Sequence, residues 1–321
     1  MSNLYAGVDL GGTSFIAVIS DKNGKVLGSS DCVTTRGGKP EDTIAQIAEH
    51  VRLAANAASV KVSKVKSVGI GVAGAVDPKR GVVVRAPNLG WDNVPLAKLL
   101  GKELDQKVVV GNDVQVAIIG EHAYGAARKT KRAVGIWVGT GIGGGLIIDG
   151  ELDRGFRGAA GEIGHMVILP DGPQCGCGRR GCVEALASRT AMERDVRAAA
   201  TGKRCAVLDI MQERKKDRMT SSVIKRALDA NDPIMKDVVA RAQMYLGLLS
   251  GNIVNMFDPE MVVIGGGVAQ RLKKSFVGPI EEVARSRFLR PDPDKKVRIE
   301  HARLGDYSGA LGACALARKN D

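Results

Sequence analysis

Aromatic residues make up only 3% of this 321-residue chain: two Trp, four Tyr and five Phe. So few rings leave little to stack single-stranded bases on. Long apolar runs are missing too, and none reaches the roughly 18 residues that a membrane span requires. The opening residues Met1 to Thr13 lack the basic segment and apolar run of an export signal. The expectation is a cytoplasmic protein with no membrane partner.

Glycine and basic charge are plentiful. Lys and Arg outnumber Asp and Glu by 47 to 35, a formal charge of +12. Nucleotides, polyphosphate and nucleic acid would all suit that balance, and so would a solvated basic surface. A hydrophobic fraction of 44% and a charged fraction of 26% fit an ordinary globular protein, and the length suffices for two domains with separate cores.

The pattern predicts an antiparallel meander: a strand over Leu4 to Asp9, a Gly-Gly turn, a strand over Ser14 to Ser20, then one from Lys25. Apolar positions from Ile44 to Ala55 recur at helical spacing, and a buried strand follows over Ser67 to Val72. A helix (Leu96 to Leu104), a strand (Lys107 to Val110) and a helix (Val114 to Tyr124) complete an α/β half. The pattern restarts with a strand over Ala133 to Val138, a glycine-rich loop over Gly139 to Gly145 and a strand over Leu146 to Ile148. A long helix over Pro233 to Phe257 feeds a strand over Met261 to Ile264 and the loop Gly265-Gly266-Gly267. Two halves that each open on a hairpin around glycines suggest duplicated lobes with a central cleft for ligands. The division expected is 1–120 for a small N-terminal lobe, with a closing helix at about 306–318 packed back on it, and 121–305 for a large C-terminal lobe. The charged stretch 201–230, with Arg214-Lys215-Lys216-Asp217-Arg218, reads as a solvated helical insertion of no assigned function.

Three motifs carry chemistry. Asp9-Leu10-Gly11-Gly12-Thr13 ends a strand; its glycines let backbone N–H groups approach phosphate oxygens, Thr13 adds a hydroxyl, and Asp9 can hold Mg²⁺ directly or through water. The same residues also make an ordinary tight turn. Gly139-Thr140-Gly141-Ile142-Gly143-Gly144-Gly145 offers a second cradle, with five glycines in seven positions. Two loops gripping one triphosphate suit phosphoryl transfer, which depends on positioning and charge more than on covalent help. Cys175, Cys177 and Cys182, with His165 ahead of them, make a tetrahedral set of three thiolates and one imidazole. Four protein ligands leave no open position, so the zinc would be structural. Asn112 and Asp113 open a helix, where either is a good cap; Asp113 could equally be a general base toward a hydroxyl.

Taken together, these pieces resemble the ROK family of sugar kinases and repressors, within the actin-like/hexokinase ATPase superfamily. The resemblance spans the chain and is most specific at Gly161-Glu162-Ile163-Gly164-His165 and at Cys175-x-Cys177-Gly178-x-x-Gly181-Cys182-x-Glu184. It implies a two-lobed actin-like/hexokinase (ribonuclease H-like) α/β fold and transfer of the γ-phosphate of ATP to the 6-hydroxyl of a hexose, glucose first. N-acetylmannosamine, N-acetylglucosamine, fructose or allose are the alternative substrates, and a non-catalytic sugar-sensing regulator is the alternative class. By the same resemblance Asp113 is the base; Asn88, Asn112, Asp113, Glu162, His165 and Glu184 bind sugar; Asp9, Gly11, Gly12 and Thr13 with Gly139, Thr140, Gly141 and Gly143 hold phosphates; and Gly265, Gly266 and Gly267 meet adenosine. His165 would present one ring nitrogen to zinc and the other to the sugar. Gly111 and the pair Val114-Gln115 depart from the commonest glucokinase pattern around Asn112-Asp113. Repressors of the family carry a helix-turn-helix before the first phosphate loop, whereas eight residues precede Asp9 here. The partners expected are hexose and ATP, with no DNA, and a homodimer.

Overall fold

A computed structural model of the chain describes residues 3–35 and 38–321. Its contacts divide into two units: 1–130 with 150–158 and 303–321, and 131–149 with 159–302.

The first unit opens with β1 (Leu4–Leu10), β2 (Ser14–Asp21) and β3 (Val26–Val33), followed by α1 (Pro40–Ala57) and β4 (Val65–Val72). A small meander of β5 (Ala75–Asp77), β6 (Val82–Ala86) and β7 (Trp91–Val94) precedes α2 (Leu96–Leu104), β8 (Val108–Asn112) and α3 (Asp113–Tyr124). The main sheet runs β3-β2-β1-β4-β8, with β1–β3 antiparallel and β4 and β8 parallel to β1. Helix α1 buries the apolar stripe Ile44, Ile47, Val51 and Ala54 against this sheet. The β5–β7 meander was not legible in the pattern, because strands of three to five residues are too short to establish an alternation.

The second unit contains β9 (Ala133–Val138) and β10 (Ile142–Ile148); β11 (Glu151–Asp153) belongs to the first. Then come α4 (Val183–Ala187), α5 (Arg189–Ala199), α6 (Ala206–Glu213), α7 (Ser221–Asp229) and α8 (Pro233–Phe257). The chain continues with β12 (Met261–Gly265), α9 (Gly267–Leu272), α10 (Lys274–Arg285) and β13 (Arg298–His301), and returns to the first unit with α11 (Ser308–Lys319). The strands order β10-β9-β12-β13, with β9–β10 antiparallel and β12 parallel to both β9 and β13. Each unit therefore repeats one plan, an antiparallel hairpin extended by parallel crossover strands. Helix α8 starts where Asp232 accepts the Met235 N–H at 2.7 Å and ends at Asp258, in the left-handed region at φ 43°.

Helix α11 lies directly on the first sheet. A Cβ on Gly7 of β1 would come within 2.0 Å of the Ala310 carbonyl, and one on its register partner Gly69 of β4 within 2.0 Å of the Ala313 carbonyl. Only glycine allows a helix backbone that close to a strand. The small residues of α11 thus have matching gaps in the sheet, and they bring its N-terminus to the end of β1.

Two readings change. The loop read over Gly139 to Gly145 is a turn of Gly139, Thr140 and Gly141 only, since β10 already pairs at Ile142 with Val138. The run Arg214 to Arg218 lies in the link between α6 and α7 instead of within a helix, and Arg218 turns inward to Glu193 at 3.2 Å. Among the described residues no helix is long and apolar enough to cross a membrane.

Candidate active site and metal centre

In the first unit, Asp9 stands near the end of β1 and the turn Gly11 to Thr13 follows. Thr34 fixes this turn, its hydroxyl donating to the Gly11 carbonyl at 2.9 Å and its N–H to the Thr13 carbonyl at 3.0 Å. Asn88 covers Gly12 so closely that a Cβ there would meet the Asn88 Cβ at 2.5 Å. Sequence reasoning had both residues, but not their contact.

Asn112 is the cap of α3. Its Oδ1 accepts the N–H groups of Val114 and Gln115, each at 3.1 Å, while its Nδ2 donates to Asp113 Oδ1 at 2.9 Å and to the Gly74 carbonyl at 3.2 Å. Asp113 is therefore released from capping and is held in place by the residue that caps. Gly111 has no room for a side chain, because a Cβ would approach Val116 Cγ2 to 2.6 Å. Glycine at this position thus makes room for Val116, in the first turn of α3.

Burial first, and the charge of Asp113 second, push the Asp9 carboxyl up from 3.8 to about 7. Helix α11 supplies the burial: a Cβ on Gly309 would lie 2.2 Å from Asp9 Oδ2. Sequence reasoning took α11 for a packing element and missed Gly309; the signal was the glycine pair Gly7 and Gly69, which announced a helix in backbone contact with β1. The consequence for stability has a definite sign. The folded state keeps the Asp9 proton up to about pH 7 while the unfolded chain releases it near 3.8, so stability is highest below that range, declines through it, and is level above. We expect Asp9→Asn to melt above the wild type at pH 8, by a few kcal/mol at most, with the gap closing toward pH 4. Thermal melts across that pH range check it, and a variant less stable than wild type at pH 8 would refute it. Gly309→Ala should instead lower stability at every pH by roughly 1–3 kcal/mol, through overpacking against Asp9.

In the second unit, β9 and β12 end side by side. Trp137 is in register with Gly265, whose Cβ would fall 2.4 Å from the indole, and Gly266, at φ 88°, has the Val138 carbonyl 2.3 Å from a would-be Cβ. The turn Gly139 to Gly141 and the loop Gly265 to Gly267 thereby share one end of the sheet, the C-terminal end of parallel strands where α/β folds bind ligands. Glu184, near the start of α4, accepts the Ile142 N–H at 2.9 Å through Oε2. Its carboxylate takes the space that a Cβ on Gly141 would fill, at 2.3 Å.

The Gly161 to His165 turn packs on β10, where a Cβ on Gly144 would meet Ile163 at 2.4 Å and one on Gly164 the Ile142 carbonyl at 1.9 Å. Glu162 is exposed there, and His165 is half-buried. Two glycines of this run also serve packing: Gly144 admits the Gly161 to His165 turn and Gly141 admits Glu184.

One ligand atom from each of His165, Cys175, Cys177 and Cys182 lies within 4.8 Å of the other three. Cys175 Sγ is 3.7 Å from His165 Nδ1, and the Cys177 and Cys182 sulfurs are 3.6 Å apart. A tetrahedron with bonds of about 2.3 Å has edges of about 3.8 Å, so these spacings fit one metal ion. Burial raises the Cys175 thiol to about 12, whereas hydrogen bonds from the backbone and side chain of Arg179 lower exposed Cys177 to about 6. Packed thiols of this kind ionise together only with a cation among them. Cys175 Sγ also lies 3.6 Å from Glu184 Oε1, so one carboxylate joins the cysteine knuckle to the Gly139–Gly141 turn.

Comparison with known proteins places these features in context. A family model described as the ROK family matches residues 5–320. Glucokinase of Streptomyces coelicolor is 32% identical over 99% of this chain and 98% of its own length, and glucokinase of Thermotoga maritima 33% identical over 98% and 96%. Among solved structures, a ROK family glucokinase from Streptomyces griseus in complex with glucose and AMPPNP superposes with a TM-score of 0.86 at 32% identity, covering 99% of this chain and 100% of that one.

Proposed function

Because the chain belongs to the ROK family across residues 5–320, we propose that it is an ATP-dependent glucose kinase that transfers the γ-phosphate to the sugar's 6-hydroxyl. The observation that carries this reading is the end-to-end likeness, in sequence and fold, to a glucokinase solved with glucose and an ATP analogue.

Asp113 is the general base. Its carboxylate takes the proton of the 6-hydroxyl as the bond from that oxygen to the γ-phosphorus forms; the bond from phosphorus to the bridging oxygen breaks, and ADP leaves with the electron pair. Asn112 keeps Asp113 in position through the 2.9 Å bond from its amide and, with Asn88, supplies amides to sugar hydroxyls. Glu162, His165 and Glu184 contribute the remaining sugar contacts. The turns Gly11 to Thr13 and Gly139 to Gly141, with Gly143 at the start of β10, offer N–H and hydroxyl donors to the phosphates, and Gly265 to Gly267 receives adenosine. Among the described residues Asp9 accepts no hydrogen bond and has a like charge, Asp113, acting on it, an environment that suits a divalent cation. Asp9 would hold Mg²⁺, directly or through water, and the ion would neutralise phosphate charge.

His165, Cys175, Cys177 and Cys182 would hold zinc in a structural role, since four protein ligands leave no open position, and ligation by Nδ1 of His165 would fix which way the ring's Nε2 faces. The protein acts in the cytoplasm as a homodimer, without DNA. A coupled assay for ADP across glucose, N-acetylmannosamine, N-acetylglucosamine, fructose and allose tests the proposal. Glucose should give the highest kcat/KM. A different preferred sugar would correct the substrate, and no stimulation by any hexose would leave the sugar-sensing regulator as the reading.

A further inference from the structure

Beside the Gly139–Gly141 turn the second unit gathers more positive charge than it neutralises. The first turn of α5 is tied to the turn by three bonds. The Arg189 N–H donates to the Gly139 carbonyl at 2.9 Å, the Arg189 guanidinium to Thr140 Oγ1 at 2.7 Å, and the Thr190 hydroxyl to the Thr140 carbonyl at 2.8 Å. Arg218, from the link between α6 and α7, reaches the same place and donates to Thr190 Oγ1 at 3.5 Å. The one buried carboxylate here, Glu193, is already shared: Arg197 binds it at 2.8 Å and Arg218 at 3.2 Å, and the Met219 N–H donates to it at 2.9 Å. Among the described residues Arg189 makes no ion pair at all.

A half-buried guanidinium with a second guanidinium for a neighbour and no carboxylate of its own is electrostatically unbalanced. Burial first, and the charge of Arg218 second, lower the Arg189 pKa, and the nearby Glu193 carboxylate offsets only part of this. Such an arrangement costs stability unless an anion completes it. The first residue of α7, which follows that link, also approaches the other loop, since a Cβ on Gly267 would sit 2.7 Å from the Ser221 hydroxyl. The charged stretch 201–230, unassigned from sequence, thus comes close both to the first turn of α5 and to the loop Gly265–Gly267.

We infer that Arg189, with Arg218 beside it, binds the phosphate chain of the donor and sets how tightly an anionic donor is held. This rests on the kinase reading for the identity of the donor, though not for the presence of an anion site. The chemistry recognised is a run of linked phosphates, which ATP and an inorganic polyphosphate share. Arg suits the task because its planar fork can keep one N–H on Thr140 while others meet phosphate oxygens.

The test uses the full chain and the variants Arg189→Gln, Arg189→Lys and Arg218→Ala. Gln keeps an N–H donor for Thr140 but removes the charge. Each variant is first shown by its melting curve to be folded; Arg218→Ala alters an exposed side chain and secures a readout if changes at Arg189 disturb the fold. Binding of adenosine, AMP and ADP is measured by calorimetry, KM is measured for MgATP and for glucose, and inhibition by inorganic tripolyphosphate is measured against MgATP. The expected result for Arg189→Gln is a roughly 10- to 100-fold loss in ADP affinity and a matching rise in KM for MgATP. Adenosine affinity and KM for glucose should stay within about twofold, and Lys should restore part of the loss. Arg218→Ala should weaken ADP severalfold. Tripolyphosphate should compete with MgATP in the wild type and be weakened in parallel with ADP in Arg189→Gln; if it does not compete, while ADP binding still depends on Arg189, the donor is the nucleotide alone and the inference holds for it.

Wild-type ADP affinity in Arg189→Gln overturns the inference, as does an equal loss for adenosine and ADP, which would mean Arg189 only braces the turn. A wild type that phosphorylates no hexose sinks the kinase reading, and the ADP and adenosine comparison then decides the anion site separately.

Discussion

Replacing Asp113 by Ala should lower kcat for glucose phosphorylation by about 10²- to 10⁴-fold, the span that a positioned general base contributes, while KM for MgATP changes little. The structure makes this a test of chemistry and not of folding. Asn112 is the cap of α3, through bonds of 3.1 Å to Val114 and Gln115 N–H, so removing the Asp113 carboxylate leaves the helix start intact. Stability should rise slightly if anything, because the like charge acting on Asp9 is gone. Asp113→Asn keeps the shape and loses the basicity, and it should be as impaired as Ala. An Asp113→Ala enzyme that turns over glucose at the wild-type rate would remove the base from the mechanism.

The second large effect is expected on removing the metal. The isolated protein should carry about one zinc per chain, by elemental analysis. Cys175→Ser, or prolonged chelation of the wild type, should lower the melting temperature by roughly 10 °C, since several kcal/mol of metal binding is linked to folding of the knuckle. It should also weaken glucose binding by about 10- to 100-fold, the usual range when a group orienting a metal-bound histidine is lost. Physical continuity carries that second effect. The His165 ring would take its direction from the metal, and Glu184 links Cys175 Sγ, at 3.6 Å, to the Ile142 N–H at the start of β10. Disturbing the knuckle should therefore raise KM for MgATP as well, because the Gly139–Gly141 turn leads straight into β10. A metal-free chain that melts and binds glucose like the wild type would refute the structural role.

Much of this was legible in the sequence because it depends on local order. Some long elements followed from periodicity: α8 over Pro233–Phe257 and α2 over Leu96–Leu104 lie where the apolar spacing placed them, whereas α5 and α10 were not read from it. The knuckle was legible because metal ligands must be close in space and here are close in sequence too, so residue type and spacing alone named the four atoms that lie within 4.8 Å. The glycine runs were legible as glycine but not as function. The side chains that pack on Gly141 and Gly144, Glu184 and Ile163, lie some twenty to forty residues further along the chain.

Other features had no local signature at all. Whether Asn112 or Asp113 capped α3 turned on which side chain could bend back to the N–H groups of Val114 and Gln115, a matter of backbone angle and not of composition. Arg189 drew no reading from the sequence, and Arg218 reads as part of a solvated charge run, until the fold brings them to one turn.

The sequence by itself determined the family, the reaction class and the four candidate metal ligands, because these reside in residue types at short, fixed spacings. Tertiary structure alone decided which groups feel one another's charge. Asp9 is pushed to about 7 by a helix end that arrives from residue 309 and by the carboxylate of Asp113. Arg189 acquires a cationic neighbour, Arg218, whose charge acts on it from further along the chain. Burial and electrostatic coupling depend on distance through space, and a linear pattern records distance only along the chain.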